Sequence, residues 1–94
     1  MVFAKSLCPR VISGEITSTV RIWQRAHVKV GGSYALGMGV VVIESIEEIG
    51  LEEITTEMAV KSGFSSVVDL LKTAKHGPGE RVYIIYFRYE DRLK

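Results

Sequence analysis

A chain of 94 residues with a formal net charge of +1 is expected to form one domain over residues 1–94, with a single modest core. Its lone cysteine, Cys8, excludes an intramolecular disulfide, and with only two histidines beside it no metal-ligand spacing exists, so we expect no metal and no cofactor. No window is long and apolar enough to cross a bilayer and the N-terminus lacks signal-peptide features, so we expect a cytoplasmic protein without a membrane partner.

Two features of the composition go beyond these totals. Asparagine is absent and Gln24 is the only glutamine, which is one mark of thermophile proteins. The charge is also unevenly distributed: residues 1–42 are mostly basic, whereas residues 43–57 carry six glutamates and no cation. This pattern predicts one basic and one acidic face, with ordinary solvated surface as the competing interpretation.

In chain order, the first predicted elements are a short strand and a helix. Residues 2–5 are predicted to form the strand. Apolar residues at helical spacing then predict a helix with Ser6 as its cap, Pro9 in its first turn and Gly14 as its stop. Residues 17–23 alternate in character, which predicts a second strand.

The middle of the chain is predicted to be mainly β-structure. Residues 24–32 form a polar, basic connection that ends in a glycine turn. Residues 34–38 and 40–49 read as strands, and the glycines between them indicate a tight turn, a bulge or a close backbone approach. Residues 54–61 read as a short helix that Gly63 ends.

The last third of the chain completes an α+β pattern. Ser65 or Ser66 caps another helix, with Asp69 completing a capping box and residues 77–79 ending the helix. Its buried side is predicted to comprise Val67, Val68, Leu70, Leu71 and Ala74. Residues 81–89 form a final strand that is apolar on both faces and therefore central or packed on two sides. The element order predicts an α+β fold, a small closed or partly closed β-barrel with inserted short helices.

The strand at 17–23 has two contrasting faces. One face is ordinary core material: Ser18, Val20 and Ile22. The other sets hydroxyls, a guanidinium and an indole in a row: Thr17, Thr19, Arg21 and Trp23. Such a row suits a polar, planar ligand.

Basic residues continue this row beyond the strand, at Arg25, His27 and Lys29. The interleaving favours nucleic-acid binding, because Arg and Lys neutralise phosphates while Trp stacks on unpaired bases. Two competing interpretations stay open: that Trp23 covers the end of the barrel, and that His27 is a solvated loop histidine.

Nucleophilic catalysis has weaker support. Thr17 and Thr19 are candidate hydroxyls, and Lys5, His27 or a glutamate is a candidate base, but none lies at a diagnostic spacing. The β-propensity of threonine on a half-exposed strand explains both hydroxyl residues, and composition alone favours this explanation.

The chain resembles the ASCH domain, a family of the PUA-like superfamily of small β-barrels with inserted helices. The similarity covers residues 14–21, the basic loop into the glycine pair, the acidic strand, residues 54–64 and the closing strand at 82–87. The family motif is Gly-x-Lys-x-x-Glu-x-Arg, with threonine at the acidic position in many small bacterial members. Gly14, Thr19 and Arg21 match this motif, whereas Ile16 occupies the lysine position.

The resemblance implies a cleft that binds RNA or a modified nucleoside around Thr19 and Arg21, with Arg21 as a bidentate anchor. We expect the following ligand-binding residues: Lys5, Thr17, Arg21, Trp23, Arg25, His27 and Lys29.

Two alternatives remain open at this point. Small ASCH members that hydrolyse acetylcytidine use the motif lysine, the threonine and a later glutamate, whose position falls near Ser62 here. A small amidohydrolase acting on an acylated nucleoside would need Thr19 as nucleophile, with Lys5 or Glu57 replacing the missing activators. The other alternative is a protein-interaction module that uses the acidic segment 44–57.

Overall fold

The computed structural model describes residues 3–74 and 80–91. One antiparallel sheet has the strand order β1-β4-β3-β2, with these bounds: β1 Ser18–Trp23, β2 Ser33–Leu36, β3 Gly39–Ile49 and β4 Arg81–Asp91. Around it lie three helices and a 3₁₀ turn: α1 Cys8–Ile12, the turn Leu51–Glu53, α2 Thr56–Lys61 and α3 Val67–Ala74. The α+β class is confirmed, and the sheet curls into a half-barrel.

Strand β4 is the centre of the sheet and is covered on both faces. It pairs with β1 on one side and with β3 on the other. Ile85 and Phe87 pack into one apolar cluster, while Val82 and Ile84 pack into another on the opposite face. The prediction of a central strand is confirmed, because alternate residues of an apolar strand must bury both of its sides.

The turn between β2 and β3 depends on two glycines, as the sequence predicts. Gly37 has φ +58, a conformation that L-residues with side chains adopt rarely. A Cβ at Gly39 would collide with the carbonyl oxygen of Glu90, which marks a close backbone approach. The Tyr89 hydroxyl donates to the carbonyl of Leu36 at 2.9 Å and ties the short edge strand to β4.

The predicted strand at 2–5 is wrong for its described residues, and residue 2 lies outside them. The segment instead turns into α1, because the N–H groups of Leu7 and Cys8 both bond to the carbonyl of Ala4. Ser6 is not the cap: Leu7 holds the N-cap position without any side-chain bond. The predicted stop is confirmed, since Gly14 follows the helix with φ +84.

Side-chain caps set the starts of α2 and α3. The helix predicted from residue 54 begins at residue 56, because Thr55 accepts the N–H of Met58 on its hydroxyl at 3.2 Å. Ser66 caps α3 by accepting the N–H of Asp69 at 3.1 Å. The Asp69 carboxylate accepts a hydrogen bond from the hydroxyl of Ser65, which is not the cap residue. The predicted capping box, in which Asp69 would bond back to the cap residue, is therefore not formed.

The buried side of α3 differs from the prediction at one position. Leu70 and Ala74 are fully buried, but Val68 is 61% exposed. Residues three and four apart share a helix face, and position 68 lies off the face that Leu70 and Ala74 define. The predicted stop at 77–79 lies outside the described residues. Within the described ranges, no helix has the length and apolar character needed to cross a membrane.

The two-sided burial of β4 predicts matched losses of stability. Ile84→Val and Ile85→Val should each lower the free energy of unfolding by about 0.5–1.5 kcal/mol, because each removes a buried methyl group. Ile12→Val is the control, since Ile12 is exposed and its change should stay within about 0.5 kcal/mol. Urea unfolding measures all three, and a negligible loss at either buried position would contradict a sheet covered on both faces.

Candidate ligand-binding site

A cavity of about 620 Å³ opens along the free edge of β1. One wall comes from the segment leading into α1 and the other from Phe64 and the end of α3. The lining residues are Phe3, Ala4, Leu7, Thr19, Val20, Arg21, Trp23, His27, Val28, Phe64, Thr73 and Ala74. The lining is mostly apolar and carries few polar groups, as is typical of small-molecule sites.

The alternation of β1 determines which side chains meet at this cavity. Thr19, Arg21 and Trp23 lie on the face toward Phe3, whereas Val20 and Ile22 pack into the cluster on the opposite face. Antiparallel pairing with β4 fixes this register, because Thr19 lies opposite Ile85 and Arg21 opposite Tyr83. The two-faced strand that the sequence predicts is confirmed.

Arg21 is held in a defined orientation. Its Nε–H donates to the Thr19 hydroxyl at 3.1 Å, and its guanidinium carbon lies 5.1 Å from the centroid of the Phe3 ring. Burial lowers the pKa of the Arg21 guanidinium below its usual value. Among residues 3–74 and 80–91, no carboxylate forms an ion pair with it.

This geometry leaves one part of the guanidinium available. The Nε–H is used by Thr19 and the guanidinium carbon lies over the Phe3 ring, whereas the two Nη nitrogens form no side-chain hydrogen bond or ion pair among the described residues. Two parallel N–H groups match two oxygens of a carboxylate or phosphate. The geometry of these donors is thus complementary to an anionic group.

Trp23 and His27 form a flat wall of the cavity. Their rings stack at 4.5 Å with an interplanar angle of 5°, and the Tyr83 ring packs 6.1 Å from the indole at a tilt. Trp23 is only 8% exposed and belongs to the core, while His27 is exposed. The His27 ring thus covers one face of the Trp23 indole, and the outer surface of this stack is the imidazole.

The cavity brings together Thr19, Arg21, Trp23 and His27 of the predicted residues. Four others are exposed and do not line it: Lys5, Thr17, Arg25 and Lys29. Lys5 directly follows the lining residue Ala4, and Arg25 and Lys29 flank His27 in sequence. These three cations can meet only the part of a ligand that extends beyond the cavity.

Among the described residues, the positions that the resemblance assigns to the hydrolase's lysine and glutamate, and Glu57 as a substitute, supply no activating group beside Thr19. Ile16, at the position of the family lysine, is buried in the core, and Ser62 is buried with its hydroxyl unpartnered. Glu57 is exposed and pairs with Lys61 at 3.0 Å. The Thr19 hydroxyl has a guanidinium as its neighbour, which donates a hydrogen bond and takes up no proton.

Sequence reasoning missed eight of the twelve lining residues, including the aromatic and hydroxyl-bearing residues Phe3, Phe64 and Thr73. These three come from segments distant from β1 along the chain. No local pattern in the sequence signals these contacts, because they arise only when α1, α2 and α3 pack around the strand.

The acidic segment is largely engaged in local pairing. Glu44 pairs with Arg88 at 3.5 Å and Glu48 with Arg81 at 3.4 Å across β3 and β4. No three His, Cys, Asp or Glu side chains cluster as a metal site in the part of the chain that the structure describes.

Removing the buried charge should stabilise the protein. We expect Arg21→Met to raise the free energy of unfolding by about 1 kcal/mol, because it removes a desolvated cation that lacks a carboxylate. Arg25→Met is the matched control at an exposed position and should stay within about 0.5 kcal/mol. Chemical denaturation measures both; a clear loss of stability in Arg21→Met would mean that its bonds outweigh its desolvation.

The bond between Thr19 and Arg21 should appear as a coupling energy. Thr19→Val should cost about 1–2 kcal/mol in the wild type, because the Arg21 Nε–H loses its acceptor. In the Arg21→Met background the same change should cost close to nothing, and the cycle should therefore give about 1–2 kcal/mol. Thr17→Val, at an exposed threonine, is the control and should show no coupling. A zero coupling for Thr19 would contradict the bond.

Comparisons of the chain with protein-family models, with curated proteins and with solved structures found no match.

Proposed function

We propose that this protein is an ASCH-type, PUA-like domain that binds RNA or a nucleotide-like ligand in the cleft around Thr19 and Arg21. The ligand places a phosphate on Arg21 and a base against the wall formed by Trp23 and His27.

One observation carries this proposal. The Arg21 guanidinium is largely buried, is oriented by two neighbours, and lines a cavity in which no described residue supplies a carboxylate. Such a group lowers stability unless something compensates its charge. An anionic ligand supplies that compensation and exploits an orientation that is already fixed, so little ordering is needed on binding.

The surroundings favour a nucleotide over a simple anion. The stacked rings of Trp23 and His27 offer a flat surface in the same cavity, and base–aromatic stacking contributes about 1–3 kcal/mol per base. Exposed cations at Lys5, Arg25 and Lys29 provide further phosphate contacts for a strand that continues past the cavity.

The two alternatives have less support. A hydrolase requires a base at Thr19; neither Lys5 nor Glu57 lines the cavity, and His27, which does, stacks on Trp23 and forms no described hydrogen bond to Thr19. An interaction module would use the acidic segment 44–57, in which three of the six glutamates, Glu44, Glu48 and Glu57, are already paired with cations of this chain.

Binding of single-stranded RNA should depend on Arg21 and on salt. We expect a labelled mixed-sequence RNA to bind at low salt in fluorescence anisotropy, with a log–log slope against salt of about −2 to −3 for three or four phosphate contacts. Arg21→Met should abolish the binding. The double variant Arg25→Gln, Lys29→Gln should weaken it and reduce the slope by about 1.

Thr19→Ala separates binding from catalysis, because it keeps the cation and removes the hydroxyl. RNA should still bind to this variant, and Arg88→Met serves as the control because Arg88 pairs with Glu44 and Glu90 away from the cavity. Deacetylation of acetylcytidine by the wild type, lost in Thr19→Ala, would overturn the binding proposal in favour of a hydrolase. If neither RNA nor nucleosides bind at low salt, the interaction module becomes the better account.

A further inference from the structure

We infer that the cavity takes one nucleotide unit with a single phosphate, either a free nucleoside monophosphate or one splayed-out residue of a strand. This inference rests on the proposed function and specifies the ligand of the same site.

The charge of the cavity sets the number of phosphates. Arg21 is the one Lys or Arg side chain that lines it among residues 3–74 and 80–91. The rest of that lining consists of apolar groups, two threonines and the ring of His27. A second phosphate inside the cavity would be desolvated against apolar groups without a counter-charge, which is strongly unfavourable.

The orientation of Arg21 favours one phosphate held by two oxygens. Thr19 occupies Nε, so a bidentate contact is made end-on through the two Nη nitrogens. That fork matches two oxygens of the same phosphate. It fits a monoester and a diester alike, which is why a free nucleotide and a strand residue share this chemistry.

Arg21 and Trp23 are neighbours on the cavity side of β1. They are two residues apart on the same face of the strand and both line the cavity, so one ligand of the size of a nucleotide can meet the guanidinium and the aromatic wall together. The cavity volume of about 620 Å³ is also in the range of single small-molecule sites.

The free edge of β1 adds main-chain polar groups next to Arg21. The Phe87 N–H bonds to the Thr17 carbonyl, so Thr17, Thr19 and Arg21 direct their main-chain groups toward β4. By the same alternation, the N–H and C=O of Val20 point away from β4, toward the open edge. Val20 lines the cavity, and an adjacent donor and acceptor suit the edge of a base.

Trp23 provides the measurement, because it is the single tryptophan of the chain and lines the cavity. Its indole N–H gives one NMR signal, which is followed during titration with cytidine, CMP, CTP and a cytidine tetranucleotide, and with the matching series of the other three bases. We expect the monophosphate of the best base to bind at least tenfold more tightly than its nucleoside. The triphosphate should bind no more than threefold more tightly than the monophosphate.

Two variants assign the phosphate to Arg21. Arg21→Met should reduce the affinity of the monophosphate to that of the nucleoside, so that this variant binds the two alike. Arg88→Met should match the wild type with every probe. A tetranucleotide that binds within tenfold of the monophosphate identifies the free nucleotide as the ligand, and a tighter one identifies a strand residue; both agree with the inference.

Other results overturn it and also separate it from the proposed function. A triphosphate that binds more than tenfold more tightly than the monophosphate, or a nucleoside that binds equally well, would refute the single-phosphate site while nucleotide binding stands. Binding of RNA, with no change of the Trp23 signal in any mononucleotide titration, would likewise refute the single-phosphate site. If folded protein binds neither RNA nor nucleotides at low salt, both the inference and the proposed function fail.

Discussion

The candidate site depends on one constraint, which is that the positive charge of the Arg21 guanidinium is largely removed from water. A charge largely withdrawn from water is unfavourable unless it is compensated, and the described residues give it only a hydroxyl and an aromatic face. Both neighbours orient the group without neutralising it, since Thr19 accepts one N–H and Phe3 contributes a cation–π contact. A chain that keeps such a residue gives up some stability, and function is the usual reason for that sacrifice.

The fold serves this arrangement through the position of β1. As an edge strand it has one side paired with β4 and the other open, so a cavity can form along it. Pairing with a doubly buried central strand makes the register rigid, and that register places Thr19, Arg21 and Trp23 on one face. The helices then supply walls rather than chemistry. This division suits a binding site, because precise geometry is easier to maintain on a strand than on a loop.

Much of this could be predicted from the sequence wherever the cause is local. The alternation in β1, the apolar faces of β4 and the left-handed glycines at Gly14 and Gly37 all follow from short-range patterns. The partners of Arg21 could be predicted only in part. Thr19 is its neighbour two residues away on the same face, whereas Phe3 reaches it through the packing of a turn that the sequence suggested to be a strand. The sequence left open whether Trp23 covers the end of the barrel or faces a ligand. In the structure it is buried in the core and also lines the cavity.

The most direct test of the account observes the guanidinium itself. In an NMR titration with single-stranded RNA at low salt, the side-chain N–H signals of Arg21 should shift and sharpen as its Nη groups become hydrogen-bonded. The signals of Arg10 and Arg88, which already have carboxylate partners, should stay unchanged. The account would be contradicted if RNA binds and shifts the signals of exposed arginines while those of Arg21 remain as in the free protein.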